Sequence, residues 1–265
     1  MTNLPPPLSG GPPDEVPLPN APLVMVVVQV RYAPILAIRS PDRVAPFQEA
    51  IRATYPVLRE DRIAQLVFGA PGTPSISEGL IWRFQDREAE WRWRVSLAVD
   101  YIALETRAYT NRRDLLSRFD AIVSALNSAF RPQEVQRLGV RYVDRLVEPA
   151  LGKLESFFHP PVLGIVGSKL RPAAQQVLTQ AVLETEEGQL LARWGSVPSK
   201  MTVDPEIPIV AGPSWIIDLD IFISSGQKFD PGALSATAKR FAERAYTVFR
   251  WMVKDDFLRF YGGTP

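Results

Sequence analysis

Val28-Gln29-Val30-Arg31-Tyr32 and Leu138-Gly139-Val140-Arg141-Tyr142 carry one pattern twice, 110 residues apart. Apolar positions recur at every second residue, as in a strand with one buried face. Each copy opens a stretch that runs through several strand-like segments and finishes in an amphipathic helix. Together they predict an α+β protein built from one unit used twice, not a barrel enzyme or a dinucleotide-binding fold.

Working outward from the first copy, residues 23–32 form a strand with Val24, Val26, Val28, Val30 and Tyr32 on one face. Ser40-Pro41-Asp42 starts a helix: a hydroxyl at the cap, proline in the first turn, and an acid at the positive dipole end. Val44, Phe47 and Ile51 follow at helical spacing, and Pro56 ends it. Strands are expected at 63–68, 80–85, 91–99 and 101–109. In the third, Trp91, Trp93, Val95 and Leu97 alternate with Arg92, Arg94, Ser96 and Ala98. Asn111 then caps a helix carrying Leu115, Leu116, Phe119, Ile122, Val123 and Leu126.

The second copy predicts a strand at 135–146 and a short helix at 151–157, with breaks at Pro160, Pro161 and Pro172. Strands at 175–184 and 189–194 flank the turn Glu186-Glu187-Gly188. A loop with Pro198, Pro205, Pro208 and Pro213 leads to a strand at 215–223. Asp230-Pro231 starts a last helix, where Leu234, Ala238, Phe241, Ala245, Val248 and Met252 step by three and four. Besides the opening echo, Val99-Asp100-Tyr101-Ile102 is paired with Leu219-Asp220-Ile221-Phe222, and Arg118-Phe119 with Arg240-Phe241. The expected organisation is a disordered proline-rich arm at 1–20, a first half at 21–132 and a second at 133–265. Each half is a β-α-β(3-4)-α unit, the two forming a closely packed saddle of antiparallel sheet with helices on one face.

Composition narrows the chemistry. Thirty basic against 29 acidic residues leave a net charge of +1, which supplies no global pull toward nucleic acid or an anionic membrane. There is no cysteine, so disulfides, thiol nucleophiles and thiolate metal sites are excluded. The N-terminus has no basic and apolar leader pattern, and residues 23–28 are too short to span a bilayer, so a cytoplasmic protein is expected.

The element order is similar to tandem TATA-binding-protein-like, SOUL haem-binding and GyrI-like units, an analogy of fold alone. Three segments carry a closer resemblance: Asn20-Ala21-Pro22-Leu23-Val24, residues 95–106 with Tyr109, and Arg137-Leu138-Gly139-Val140-Arg141-Tyr142. They look like the hallmark segments of a sporadically distributed bacterial family of uncharacterised proteins, over most of residues 20–260. The resemblance implies a bacterial cytoplasmic protein with the patchy occurrence of accessory or defence genes, and it supplies no catalytic residues.

His159, the single histidine, sits in a loop beside Pro160-Pro161 and builds no triad or zinc site alone. Nucleophile-elbow, phosphate-loop and zinc-helix motifs are absent, and Gly69-Ala70-Pro71-Gly72 reads as a turn. Asp218 and Asp220 stand two apart on a strand, so both carboxylates face one way and could chelate Mg²⁺ for phosphoryl transfer. The alternation of all strands, extended, puts Gln29, Arg31, Arg92, Arg94, Ser96, Glu105, Arg137, Arg141, Asp218 and Asp220 on the face opposite the helices. Such arginines bind an anionic ligand or a partner's carboxylates, or else neutralise the acids within the sheet. Arginines and lysines of the two closing helices are diluted by Asp114, Asp120, Glu243, Asp255 and Asp256, which argues against a TATA-box-protein-like DNA binder. Residues 257–261, rich in aromatics, offer an exposed patch to a partner, pack beneath the sheet or form a homodimer contact.

The leading expectation is a non-catalytic binding or regulatory protein with no cofactor and no membrane partner. It would recognise a protein partner or small anionic ligand through Arg31, Arg92, Arg94, Glu105, Arg137, Arg141, Asp218 and Asp220. Metal-dependent phosphoryl transfer on Asp218 and Asp220 is the enzymatic alternative.

Overall fold

A computed structural model describes residues 5–68, 74–224 and 226–265; Gly69-Ala70-Pro71-Gly72 lies outside them. The fold is α+β. Its first part runs β1 (Leu23–Tyr32), α1 (Pro41–Ile51), β2 (Val57–Phe68), β3 (Pro74–Gln85), β4 (Trp93–Leu97), β5 (Tyr101–Thr106) and α2 (Arg112–Phe130). Next come β6 (Glu134–Leu146), a 3-10 turn at Ala150–Lys153, and the short helices α3 (Leu154–Phe157) and α4 (Pro160–Leu163). The chain closes with β7 (Val177–Glu184), β8 (Gln189–Val197), β9 (Ser214–Ile223), β10 (Gln227–Lys228), α5 (Pro231–Met252) and α6 (Asp255–Phe260).

The strands follow the order β2-β3-β4-β5-β1-β6-β9-β8-β7, with β10 on β6. Both copies obey one rule: the opening strand pairs with the last long strand of the meander that follows it, β1 with β5 and β6 with β9. That is the topology of a duplicated unit, reached although the second meander has one long strand fewer. The chain divides into two compact units that do not follow the chain as consecutive halves. One holds residues 27–138 and 224–238; the other holds 1–26, 139–223 and 239–265.

In the first of these, α1 and α2 cover one face of the meander. Phe47 of α1 meets Phe84 of β3 edge to face at 5.4 Å, and Phe119, Ile122, Val123 and Leu126 of α2 are wholly buried. Asn111 caps α2 as expected, its side chain accepting from the Asp114 amide at 2.9 Å. Ser40 occupies the cap of α1 but makes no side-chain cap bond there. Trp82 fixes the turn before α1 by donating its indole N–H to Ile38 O at 2.7 Å.

The other unit has an aromatic core. Phe158 stacks on Trp215 of β9 at 5.5 Å, while Phe157 and Phe249 both meet Phe257 edge to face. The aromatic C-terminal run thus forms α6 and packs inside its own unit, with Phe257 and Leu258 buried and Phe260 exposed. Sequence periodicity missed this helix because six residues are too few to show one.

Three expectations change. β2 and β3 are longer than read, 12 residues each and paired along their whole length, because charged β2 positions such as Arg59, Glu60 and Asp61 masked the pattern. β4 starts only at Trp93, so Trp91 and Arg92 lie outside the strand alternation. The match of Val99-Asp100-Tyr101-Ile102 to Leu219-Asp220-Ile221-Phe222 is not structural: the first spans the β4–β5 turn, the second lies within β9. The other two matches hold their places: Arg31 and Arg141 lie in opening strands, and Phe119 and Phe241 are buried on closing helices.

Residues 5–20 contain no helix or strand. Their backbone nevertheless bonds to the unit holding residues 139–223: Arg244 Nη1 donates to Pro7 O at 3.0 Å, and Val16 N donates to the Tyr246 hydroxyl at 2.8 Å. Among the described residues, no helix is long and apolar enough to cross a membrane.

Candidate functional site

Each unit holds its own arginine–carboxylate cluster, built by the same local device. In the meander β2–β5, Arg94 of β4 stands directly across from Glu105 of β5. In the meander β7–β9, Arg193 of β8 stands directly across from Asp218 of β9. Directly opposed residues share a face, so the register alone aims each guanidinium at its acid.

In the first cluster Arg94 grips Glu105 with both ends of its fork, Nε to Oε2 at 2.6 Å and Nη2 to Oε1 at 2.9 Å. The Ser96 hydroxyl donates to Glu105 Oε2 at 2.6 Å, and Arg83 of β3 bonds Ser96 and reaches both Glu105 and Asp61. Trp91 lies between two guanidinium groups, with Arg94 4.2 Å and Arg107 4.4 Å from its ring centroid. Arg83, Ser96 and Glu105 are all buried. Here the sheet's polar face is a closed ion-pair network.

The second cluster is larger. Arg141 of β6 forks onto Asp218, Nε to Oδ1 at 2.8 Å and Nη2 to Oδ2 at 2.9 Å. Arg193 reaches Asp218 Oδ2 with Nε at 3.0 Å and Nη2 at 2.6 Å. Asp204, from the loop between β8 and β9, supplies a second carboxylate at 2.8 Å from Arg141 Nη1 and 3.9 Å from Arg193 Nη2. Further along β6, Arg145 Nη1 donates to Pro208 O of the same loop. The loop therefore runs over the strand face that sequence left open to solvent, which is why Asp218 is buried although it lies opposite the apolar stripe. Arg145 is only 4% exposed, and its Nε and Nη2 meet no hydrogen-bond partner among the described residues.

The charges follow this geometry. Burial works against the Arg141 guanidinium, but hydrogen bonds to Asp218 and the charges of Asp218 and Asp204 outweigh it and raise its pKa above the ordinary arginine value. Burial also acts to raise the Asp204 pKa, but the Glu206 amide and Arg141 together hold it below the usual carboxylate range. Burial lowers the Arg145 pKa with nothing to offset it. On the opposite face of β6, Asp144 is buried with no donor to its carboxylate among the described residues, and burial pushes its pKa up to about 7.

Of the residues expected to line an open binding face, Arg94, Glu105, Arg141 and Asp218 lie inside these networks. Arg31 makes a separate, exposed pair with Asp100 at 2.8 Å. Arg92 is exposed and lies before β4. Arg137 and Asp220 are half-buried and both engage other groups. A divalent ion at Asp218 would have to compete with two guanidinium groups, and no group of three or more metal-ligating side chains is assembled among the described residues. On the closing helix, Arg244 and Arg250 are buried rather than displayed; Arg244 forks onto Glu187 at 2.8 and 2.9 Å. Sequence reasoning missed Arg83, Arg193, Arg145, Asp204 and Asp144. Arg193 was within reach of a register drawn from the Glu186-Glu187-Gly188 turn; Asp204, in a proline loop, carried no signal.

No protein-family model matches the chain, and no curated protein matches it significantly in sequence.

Proposed function

We propose that this protein is a non-catalytic binding or regulatory module that recognises a carboxylate-bearing partner or small anion beneath the β8–β9 loop, at Arg141 and Arg193 and, farther along β6, Arg145. The observation that carries the reading is Arg145: two buried guanidinium nitrogens stand without an acceptor under the same β8–β9 loop whose Asp204 occupies Arg141. Burial is the only influence on the Arg145 charge, with no carboxylate set against it, so that positive charge is left over. A buried donor without a partner costs about 1–3 kcal/mol, and an incoming anion removes that cost. Asp204 acts in this reading as a stand-in that a better acceptor displaces. The likeness of the hallmark segments to the sporadic bacterial family agrees with an accessory role, because that resemblance carries no catalytic residues.

The test is an isothermal titration at low salt with two probes, inorganic sulfate and a short Asp/Glu peptide. Binding of either should weaken at least tenfold in Arg193→Gln and strengthen in Asp204→Asn, where the competing carboxylate is gone. Affinities unchanged in both variants, or no heat from either probe, would remove the site.

A further inference from the structure

Residues 5–20 lie in a seat that reads the backbone of a proline-rich segment without helix or strand. The donors that reach the arm find carbonyls: Arg244 Nη1 bonds Pro7 O at 3.0 Å, the Glu186 amide bonds Leu8 O at 3.3 Å, and the Tyr246 hydroxyl bonds Asp14 O at 3.2 Å. The same hydroxyl accepts from Val16 N. Prolines lack the N–H, so a partner that recognises such a chain must donate to its carbonyls, as this one does.

The far end of the seat is shaped as closely. A Cβ on Gly263 would stand 2.6 Å from the Leu18 side chain and 2.8 Å from that of Val16. Gly262 holds φ +86° beneath Pro19 and Asn20, and Asn20 N donates to Tyr261 O at 3.2 Å. The bare Gly263 lets the Val16 and Leu18 side chains approach the backbone, and a Cβ there would force them to shift. At the near end the Glu187 carboxylate locks Arg244, and the arm turns at Gly10 with its N–H on Pro6 O at 2.8 Å.

We infer that this seat, formed by Arg244, Tyr246, Glu186 and Gly262-Gly263, is a docking site whose second occupant is the same arm from another copy of the chain. Residues 5–20 have no helix or strand of their own, so they can leave without breaking a sheet or helix. Exchange between two copies restores every contact, leaving only the association entropy and the turn at Leu18–Ala21 (Ala21 N to Leu18 O, 3.1 Å) to decide the balance. Pro17, Pro19 and Pro22 stiffen that hinge toward the extended form a crossing arm needs. A tether of this length sets an effective concentration on the order of millimolar, so exchange should be seen at high chain concentration.

The absence of cysteine makes the test direct. Ser9 and Glu186 are exposed and line one cleft. Full-length Ser9→Cys and Glu186→Cys chains are mixed from micromolar to millimolar concentration and treated with a short bismaleimide crosslinker; a chain carrying both cysteines serves as the internal standard. Arm exchange predicts a two-chain product that grows with concentration, falls when an excess of a peptide of residues 5–20 is added, and is lost in Gly263→Ala. A double-cysteine chain that crosslinks only within itself, with mixed chains giving no product at millimolar concentration, would overturn the inference. So would a two-chain product insensitive to both peptide and Gly263→Ala. An unrelated proline-rich peptide competing as well as residues 5–20 would replace the second copy by a general proline-rich partner.

Discussion

Asp144→Asn should stabilise this protein at neutral and alkaline pH and leave it nearly unchanged in acid. The Asp144 carboxyl is buried in β6 with no donor in reach among the described residues, and burial raises its pKa from 3.8 to about 7. A raised acid pKa means that the folded state holds its proton over a range where the unfolded state has lost it. Stability therefore falls as pH rises from about 4 to about 7, and the full cost is present above that. A shift of roughly three units corresponds to about 4 kcal/mol. At about 2 °C per kcal/mol for a chain of this size, the asparagine variant should melt about 8 °C higher than the parent at pH 8. At pH 4, where the parent carboxyl is already neutral in the fold, the two should nearly coincide. Thermal melts followed by circular dichroism from pH 4 to 8 read the difference directly, and subtracting the parent curve removes every other titrating group. Two parallel curves across that range would refute the reasoning, since they would show that Asp144 ionises in the fold without penalty. Tyr261→Phe is a useful companion, because burial, with Asp144 adding to it, pushes that phenol up to about 12; it should leave the slope between pH 4 and 7 in place.

Other consequences are checked by denaturant unfolding. Arg94→Ala takes the bidentate partner from the buried Glu105, leaving it Ser96 and Arg83, and should cost about 1.5–3 kcal/mol, whereas Arg31→Ala, in the exposed pair with Asp100, should cost under about 1 kcal/mol; equal losses would mean that the burial contrast is irrelevant. Gly195→Ala should sever β7 from β8, because φ is +146° there and a Cβ would fall 1.9 Å from Val177 O. Amide exchange confined to β7 and β8 is the expected signature. Asp204 and Glu187 have depressed pKa values, so each adds stability above the unfolded carboxylate value that is lost as pH falls through its folded one. Asp204→Asn should accordingly flatten part of the acid limb of the stability curve below about pH 4.

Much of the architecture was legible in the chain because strand alternation and helical spacing are local. The opening echo located β1 and β6, the stepping of Leu234 to Met252 located α5, and Asn111 marked the start of α2. Boundaries failed where charge interrupts the pattern, as in β2, or where an element is short, as in α6 and β10. Of the candidate site, the arginines and the acids Glu105 and Asp218 were visible, with pairing inside the sheet as one reading, but not which arginine holds which acid. Arg141 was read as binding an anion or neutralising an acid of the sheet; its fork holds Asp218, 77 residues away, and also Asp204, from a loop without any pattern.

The sequence by itself determined that this is an α+β chain with an echoed opening strand and with arginines and acids on the polar side of its sheet, because periodicity dictates which side chains share a face. Only the tertiary structure decided that those charges are mostly buried against one another, that the β8–β9 loop lies over them, and that the proline-rich arm sits on Arg244 and Tyr246. The physical reason is that register, loop placement and burial depend on contacts between distant residues, and no local pattern records them.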